Sequence, residues 1–582
     1  MGVPAHVLRR IGMSISEAID AGIRGEPGAK LACIPSHITK LPTGAETGTF
    51  FALDLGGTNL RVAMVRLGEG HGVIEEQVVE ESTVPARLLA GPAAALFAFL
   101  AERLGEMVSA RWRGEGPARV GFSFSFPMRQ TGCRDGQLMY WTKGYACEGA
   151  VGQSVVPLLQ RALEEAGVPA TVDVILNDAL GPLLSSQYCG GGTRVAAIFG
   201  TGTNMSYVED ARRVPGVPPG AGPGMLVNSE WSNWWDASVM AAAELDEDAD
   251  LDAASLNPGR GRYEKLVSGL HLGEVARRLL RRLWAAADLG APGGLATGGS
   301  LPTATVGAIA DDSSKGLLAV RDALRDALGL HPPAWVLRPV QRVCRLVLAR
   351  AGRMAGVGLA AALDYAGALE AGGRVTVGVD GSLFRNSRPF RDGVTGALED
   401  VLPGLGARVH FHTCDASSVI GAALAAAVCG PVEAGSPAPP PGGKSAVGQK
   451  IRGSREALRQ LSFGHVDGPG GGRGAAGPME NVVIEGQIRT VSITSSSPGT
   501  SHGASYHGAV RVGSVHGPGD GGLALRGLRS LSTTPKGGGA APRFFVAGGG
   551  NPGTAVPLAE TQFGTPTSDH WPLGSPAGSP KR

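Results

Sequence analysis

Two glycine turns carry the first chemistry in this chain. Thr49-Phe50-Phe51-Ala52-Leu53-Asp54-Leu55 opens into Gly56-Gly57-Thr58-Asn59, and Val195-Ala196-Ala197-Ile198-Phe199 opens into Gly200-Thr201-Gly202-Thr203-Asn204. Glycines between strands let backbone N–H groups converge on an anion, and threonine hydroxyls add donors for phosphate oxygens. One such turn is an ordinary hairpin; two in one chain predict a clamp on a polyphosphate. Asp54, at the end of an apolar strand, reads either as a turn cap or as part of the water shell of Mg²⁺. That cation binds through few carboxylates plus substrate phosphates.

Val174-Ile175-Leu176 is a third apolar strand, ending in Asn177-Asp178. Carboxylates at the carboxyl ends of such strands are where α/β sheets place ligands, which makes Asp178 a candidate general base. The competing reading is a helix N-cap for the segment starting at Ala179. Lys143, in Trp141-Thr142-Lys143-Gly144, is one of five lysines in the first 430 residues of a chain that otherwise uses arginine. It reads as a charge partner for phosphate or as a solvated surface lysine.

The elements that must hold these residues alternate β-rich runs with helical patterns, the signature of an α/β fold. A further strand, Val375-Thr376-Val377-Gly378-Val379, reaches Asp380-Gly381-Ser382 after a helical stretch from Pro339 to Leu369. The recurrence of strand, glycine turn, strand predicts two related halves. An Ala-rich helix over 419–428 precedes an abrupt change: from 431 to 582 Gly and Pro make up roughly a third of the residues, which predicts a disordered tail dispensable for the core.

The 582 residues carry 53 basic and 51 acidic side chains, so counterion release on nucleic acid is not a driving force and no nucleic-acid partner is expected. Seven cysteines with no CxxC pair argue against a disulfide framework and a zinc site, and for a reducing compartment. The apolar windows 91–104 and 355–370 fall short of a membrane span of ~20 residues, so membrane insertion is not expected. The expected location is cytoplasmic, with association with a plastid or the mitochondrial surface left open.

LPTGAETGTFFALDLGGTNLRV (41–62), GFSFSFP (121–127), WTKGY (141–145), VILNDALGPLL (174–184), FGTGTNMSYVE (199–209), NSEW (228–231), SLNPGRGRYEKLVSGLHLGEV (255–275) and VGVDGSLF (377–384) together resemble the eukaryotic hexokinases, over about residues 15–429. The resemblance implies the actin-like ATPase (ribonuclease H-like) fold, two α/β domains around a cleft. It divides the chain into a large domain (1–44 and 178–414), a small domain (45–177 and 415–430) and the tail (431–582), whose partners stay undefined. The implied activity is phosphorylation of glucose and related hexoses at the 6-hydroxyl, with Asp178 and Lys143 catalytic. The implied hexose site comprises Ser125, Phe126, Thr142, Lys143, Asn177, Asp178, Asn204, Glu230 and Glu264. The implied contacts to ATP and its Mg²⁺ fall on Asp54, Gly56, Gly57, Thr58, Asn59, Arg61, Thr201, Thr303, Gly381 and Ser382, with no residue assigned as a direct metal ligand.

Three positions depart from the family. Asp415-Ala416-Ser417-Ser418-Val419-Ile420-Gly421 stands where a glycine-rich Asp-Gly-Ser-Gly turn is usual, with both glycines replaced and one residue added. Gly307 replaces a serine near the adenosine, and Gly261 a glutamine by the sugar. The altered turn suggests a second reading, a glucose-binding regulator with weak or no kinase activity. It also predicts that glycine at 416 and 418, with one residue removed from 419–421, tightens ATP binding.

Overall fold

Apolar runs bounded by glycine turns pair into two sheets. The structure is a computed structural model that describes residues 2–217, 222–370 and 372–430; the tail expected over 431–582 lies outside the described residues. The first sheet orders its strands Ile74–Thr83, Asn59–Leu67, Gly48–Leu55, Ala118–Phe124, Ala170–Leu176. The second runs Gly224–Asn228, Thr203–Asp210, Thr193–Phe199, Val375–Asp380, Val409–Thr413, with the two-residue strand Ile34–Pro35 added outside Gly224–Asn228. Each sheet is an antiparallel meander of three strands continued by two parallel ones. The repeated strand grammar of the sequence is therefore a repeated topology, and in each copy the glycine turn joins the first strand to the second.

Three apolar clusters hold the sheets. One packs the second sheet against the long helix Ala334–Tyr365, and another packs the first sheet against Ala93–Arg111 and Val155–Glu165. The third draws residues from both sheets, including Ala52, Val174, Ala196 and Leu226, around the helices Gly181–Gly190 and Ser417–Cys429. These two helices cross backbone to backbone: a Cβ on Gly421 would lie 2.4 Å from the Cα of Gly181. Shape, not residue hydrophobicity, specifies that crossing.

The long helix departs from its expected limits of Pro339 and Leu369. It begins at Ala334, after Pro333, and keeps Pro339 inside it. Pro339 lacks the N–H that the carbonyl of Trp335 would accept, and Trp335 is exposed, so water can serve that carbonyl. The helix is long and apolar enough to cross a membrane by composition, but most of that stretch is buried in the protein, as in a core helix.

Near the end of this helix, burial pushes the Asp364 carboxyl up to about 6. A raised folded-state pKa means the native state holds the proton that the unfolded chain, at about 3.9, has already released. The contribution of Asp364 to stability is therefore fully present below pH 4 and is lost as pH rises to 6. Asp364→Asn is expected to remove that decline and to stabilise the protein at pH 7 by about 1–3 kcal/mol, read from urea midpoints at pH 4 and pH 7.

Candidate active site

The first glycine turn holds Asp54 beneath it. Asp54 pairs in register with Arg61 on one neighbouring strand and Ser123 on the other. Its Oδ1 accepts from Ser123 Oγ at 2.7 Å and its Oδ2 from Ser418 Oγ at 2.6 Å, with Arg61 Nη1 at 3.8 Å. Burial pushes the Asp54 carboxyl up, and the two serine hydroxyls work against that shift. Asp54, Gly56, Thr58, Asn59 and Arg61 line a polar cavity of ≈ 100 Å³. Asn59 and Arg61 are both held from outside by Glu81, at 2.5 and 2.9 Å. Each oxygen of Asp54 still has a lone pair for a metal-bound water, so a polar cradle with one buried carboxylate fits the expected Mg²⁺–phosphate group.

The second glycine turn is closed by Gly381. With φ +111° and a hypothetical Cβ only 2.2 Å from the Phe199 carbonyl oxygen, position 381 admits only glycine, so the Val375–Asp380 strand abuts the Phe199–Gly200 turn. The backbone N–H groups of Gly269 and Leu270, at the start of the helix Gly269–Ala286, donate to the carbonyls of Gly200 and Thr201 at 2.8 and 3.0 Å. Thr303 heads the next helix and accepts from Gly273 N at 2.8 Å, tying it to the same element; Ser382 is exposed beside Gly381. Arg61 feels the charge of Asp380 from the second sheet, which brings the two turns into one electrostatic field.

The structure also supplies a contact that spacing does not reveal. Ser417 and Ser418 open the helix Ser417–Cys429: Ser417 donates to Asp380, from the second sheet, and Ser418 to Asp54, from the first. Of the turn residues only Ala416 has a positive φ, at 53°. Val419 and Ile420 are buried helix residues, 0% and 2% exposed, and the helix reaches the cleft through its serines.

Around the hexose positions the polar groups are equally fixed. Asn228 and Asn204 donate to Glu230 Oε1 at 2.7 and 3.1 Å, which leaves Oε2 for a ligand. Glu264 Oε2 accepts from Thr203 N at 3.1 Å. Burial pushes both carboxyls up. Lys143, in a left-handed conformation with φ 57°, donates from Nζ to the Ser125 carbonyl at 2.8 Å and lies 5.5 Å from the ring of Phe126. Phe126 is packed edge-on by Trp141 and Tyr145, and Tyr145 donates to the Gly57 carbonyl at 2.7 Å, so the Thr142–Lys143 loop is tied to the first phosphate turn. Ser125 Oγ is buried without a partner; a hydroxyl left so is satisfied by a ligand or costs about 1–3 kcal/mol.

Asp178 stands between these groups. The cap of the short turn Asp178–Leu180 is Asn177, whose Oδ1 accepts from Ala179 N at 3.0 Å, so Asp178 does not act as the N-cap. Ser206, from the second sheet, donates to the Ala179 carbonyl at 2.7 Å and fixes the turn from the other side. Among the described residues nothing donates to the Asp178 carboxylate. Its charge raises the pKa of both Asp54 and Glu230, which sets it within electrostatic reach of the first glycine turn and of the Glu230 cluster alike.

Gly261 and Gly307 differ in what they would accept. Gly261 has φ +59° at the start of the helix Arg262–Val267, a conformation in which a glutamine would be strained; a Cβ on Gly307 would meet nothing within 4 Å.

Two sheets of one topology, each with a glycine turn, lie about a cluster of buried carboxylates and amides, an arrangement suited to a sugar phosphotransferase of the actin-like ATPase fold. Two hexokinase family models match the chain, over residues 1–188 and 194–428. Hexokinase-1 of Oryza sativa subsp. japonica is 37% identical over 445 residues, spanning 73% of this chain and 88% of its own. Among solved structures, a hexokinase crystal structure matches with TM-score 0.66 and 28% identity, covering 73% of this chain and 96% of that one. A hexokinase from Schistosoma mansoni complexed with glucose matches with TM-score 0.61 and 32% identity, covering 72% and 95%. The chain belongs to the hexokinase family and is a hexose kinase; the family draws its phosphate from ATP, generally with Mg²⁺. This favours the kinase over the glucose-binding regulator with weak or no kinase activity.

Proposed function

We propose that this chain transfers the γ-phosphoryl group of ATP to the 6-hydroxyl of glucose, with Asp178 as the general base. The observation that carries the reading is the position of Asp178, unpartnered and electrically coupled to both Asp54 and Glu230. The hexose is held by groups that each match a hydroxyl: Ser125 Oγ, the Nδ2 of Asn177, Glu230 Oε2, Glu264, and the Thr142–Lys143 loop. A sugar lacking one of those hydroxyls leaves a buried polar group unpaired, which is the basis of selection.

Asp178 accepts the hydroxyl proton as the oxygen attacks phosphorus. Lys143 and the turn N–H groups face the charge that gathers on the transferred phosphoryl. When bound with ATP, Mg²⁺ supplies neutralisation of the phosphate oxygens, and Asp54 would hold it through water. Positioning by two sheets does most of the remaining work.

A coupled assay with MgATP and glucose, mannose or fructose tests the proposal. ATP-dependent formation of hexose 6-phosphate is expected, with glucose binding followed in parallel through the fluorescence of Trp231 and Trp141. Saturable glucose binding without turnover would overturn it.

A further inference from the structure

Strand residues two apart share a face, so His410, His412 and Cys414 line one side of the strand Val409–Thr413 and its exit. This strand is the edge of the second sheet, and the helix Gly181–Gly190 packs against it with Cys189 in its last turn. One ligand atom from each of Cys189, His412 and Cys414 lies within 4.8 Å of the other two, and Cys414 Sγ is 3.8 Å from His412 Nδ1. Tetrahedral zinc, with Zn–S of ~2.3 Å and Zn–N of ~2.0 Å, separates a sulfur from a nitrogen by about 3.5 Å.

We infer that Cys189, His412 and Cys414 form a three-ligand site for a thiophilic divalent cation of the Zn²⁺ type, with its fourth position open to water. Two thiolates and an imidazole are the donor set that selects such ions over Mg²⁺ or Ca²⁺. Binding exchanges two thiol protons for one metal ion, the protons going to solvent, with no change of oxidation state. Cysteine spacing reports only ligands close in sequence, whereas these come from two elements packed across a sheet edge. The site also has leverage. Cys414 directly precedes Asp415–Ser418, the junction from which Ser417 and Ser418 reach Asp380 and Asp54, and Cys189 lies in the last turn of the helix that follows Asp178.

The test uses the full chain, stripped with a chelator, reduced with a phosphine and titrated with Co²⁺. A thiolate-to-cobalt charge-transfer band saturating at one equivalent and displaced by one equivalent of Zn²⁺ is expected. Histidines elsewhere in the chain give no such band. Cys189→Ser and Cys414→Ser should each abolish it, and His412→Ala should weaken Co²⁺ binding at least tenfold. The double variant Cys133→Ser/Cys429→Ser, which removes two cysteines that lie near each other but are not part of the cluster, should keep it. A readout that needs no variant is alkylation of the wild type: Zn²⁺ should protect Cys189 and Cys414 specifically, mapped by peptide mass. Absence of the band in fully reduced protein, its survival in both single serine variants, or equal alkylation with and without Zn²⁺ would overturn the site. So would a Cys189–Cys414 disulfide whose reduction yields no cobalt band.

Discussion

Asp178→Asn lowers kcat by ~10²- to 10⁴-fold and leaves glucose affinity within a few fold, the range expected when a positioned general base is lost. The split between kcat and KM follows from the local geometry. Asn177 caps the turn and Ser206 secures it through the Ala179 carbonyl, so the backbone survives when the carboxylate becomes an amide. Removing the charge also relieves Asp54 and Glu230, whose carboxyls it pushes up, so the amide variant loses the base without unsettling its neighbours. Asn177→Ala differs: it removes both the cap and a hydroxyl partner, and weakens glucose binding together with stability. Steady-state kinetics and fluorescence titration of both variants check this; near-normal turnover of Asp178→Asn would exclude it as the base.

The strands and their turns are legible in the sequence because the signal is local: apolar β-rich runs stop at Gly56-Gly57 and Gly200-Thr201, and the sheets begin their hairpins there. The limits of the long helix are less so, since Pro339 reads as a start but sits where solvent compensates for the missing donor. What joins the halves is not legible at all. The Ser417 and Ser418 bonds to Asp380 and Asp54 depend on how one helix end meets two sheets, and no periodicity encodes that. Cys189, His412 and Cys414 are invisible for the same reason. The proposed hexose positions come from the family resemblance; composition alone leaves Glu230 and Glu264 as ordinary acids.

Shortening the helix Ser417–Cys429 by one residue, as a repair of the altered turn, is expected to destroy the fold. Deleting Ile420 rotates everything after it by roughly 100° about the helix axis. Gly421 then leaves Gly181, where a Cβ would lie 2.4 Å from Cα and 2.7 Å from the carbonyl oxygen, and a larger residue takes its place. Gly421→Leu reproduces the collision alone and is expected to cost more than ~3 kcal/mol, beyond the usual 1–3 kcal/mol of overpacking, because backbone rather than a side chain must yield. Loss of this crossing also moves the turn that carries Asp178, so kinase activity and glucose binding fall together. Ala416→Gly acts in the opposite direction. It relieves a left-handed alanine worth about 1 kcal/mol, keeps both serine contacts and raises Tm by about 2 °C. Ser418→Gly, by contrast, removes a donor from the buried Asp54 and should weaken MgATP binding, contrary to what the family's glycine pattern suggests. Thermal melts with KM for MgATP at saturating glucose separate these outcomes, and a well-folded, active deletion variant would show that the helix crossing tolerates another register.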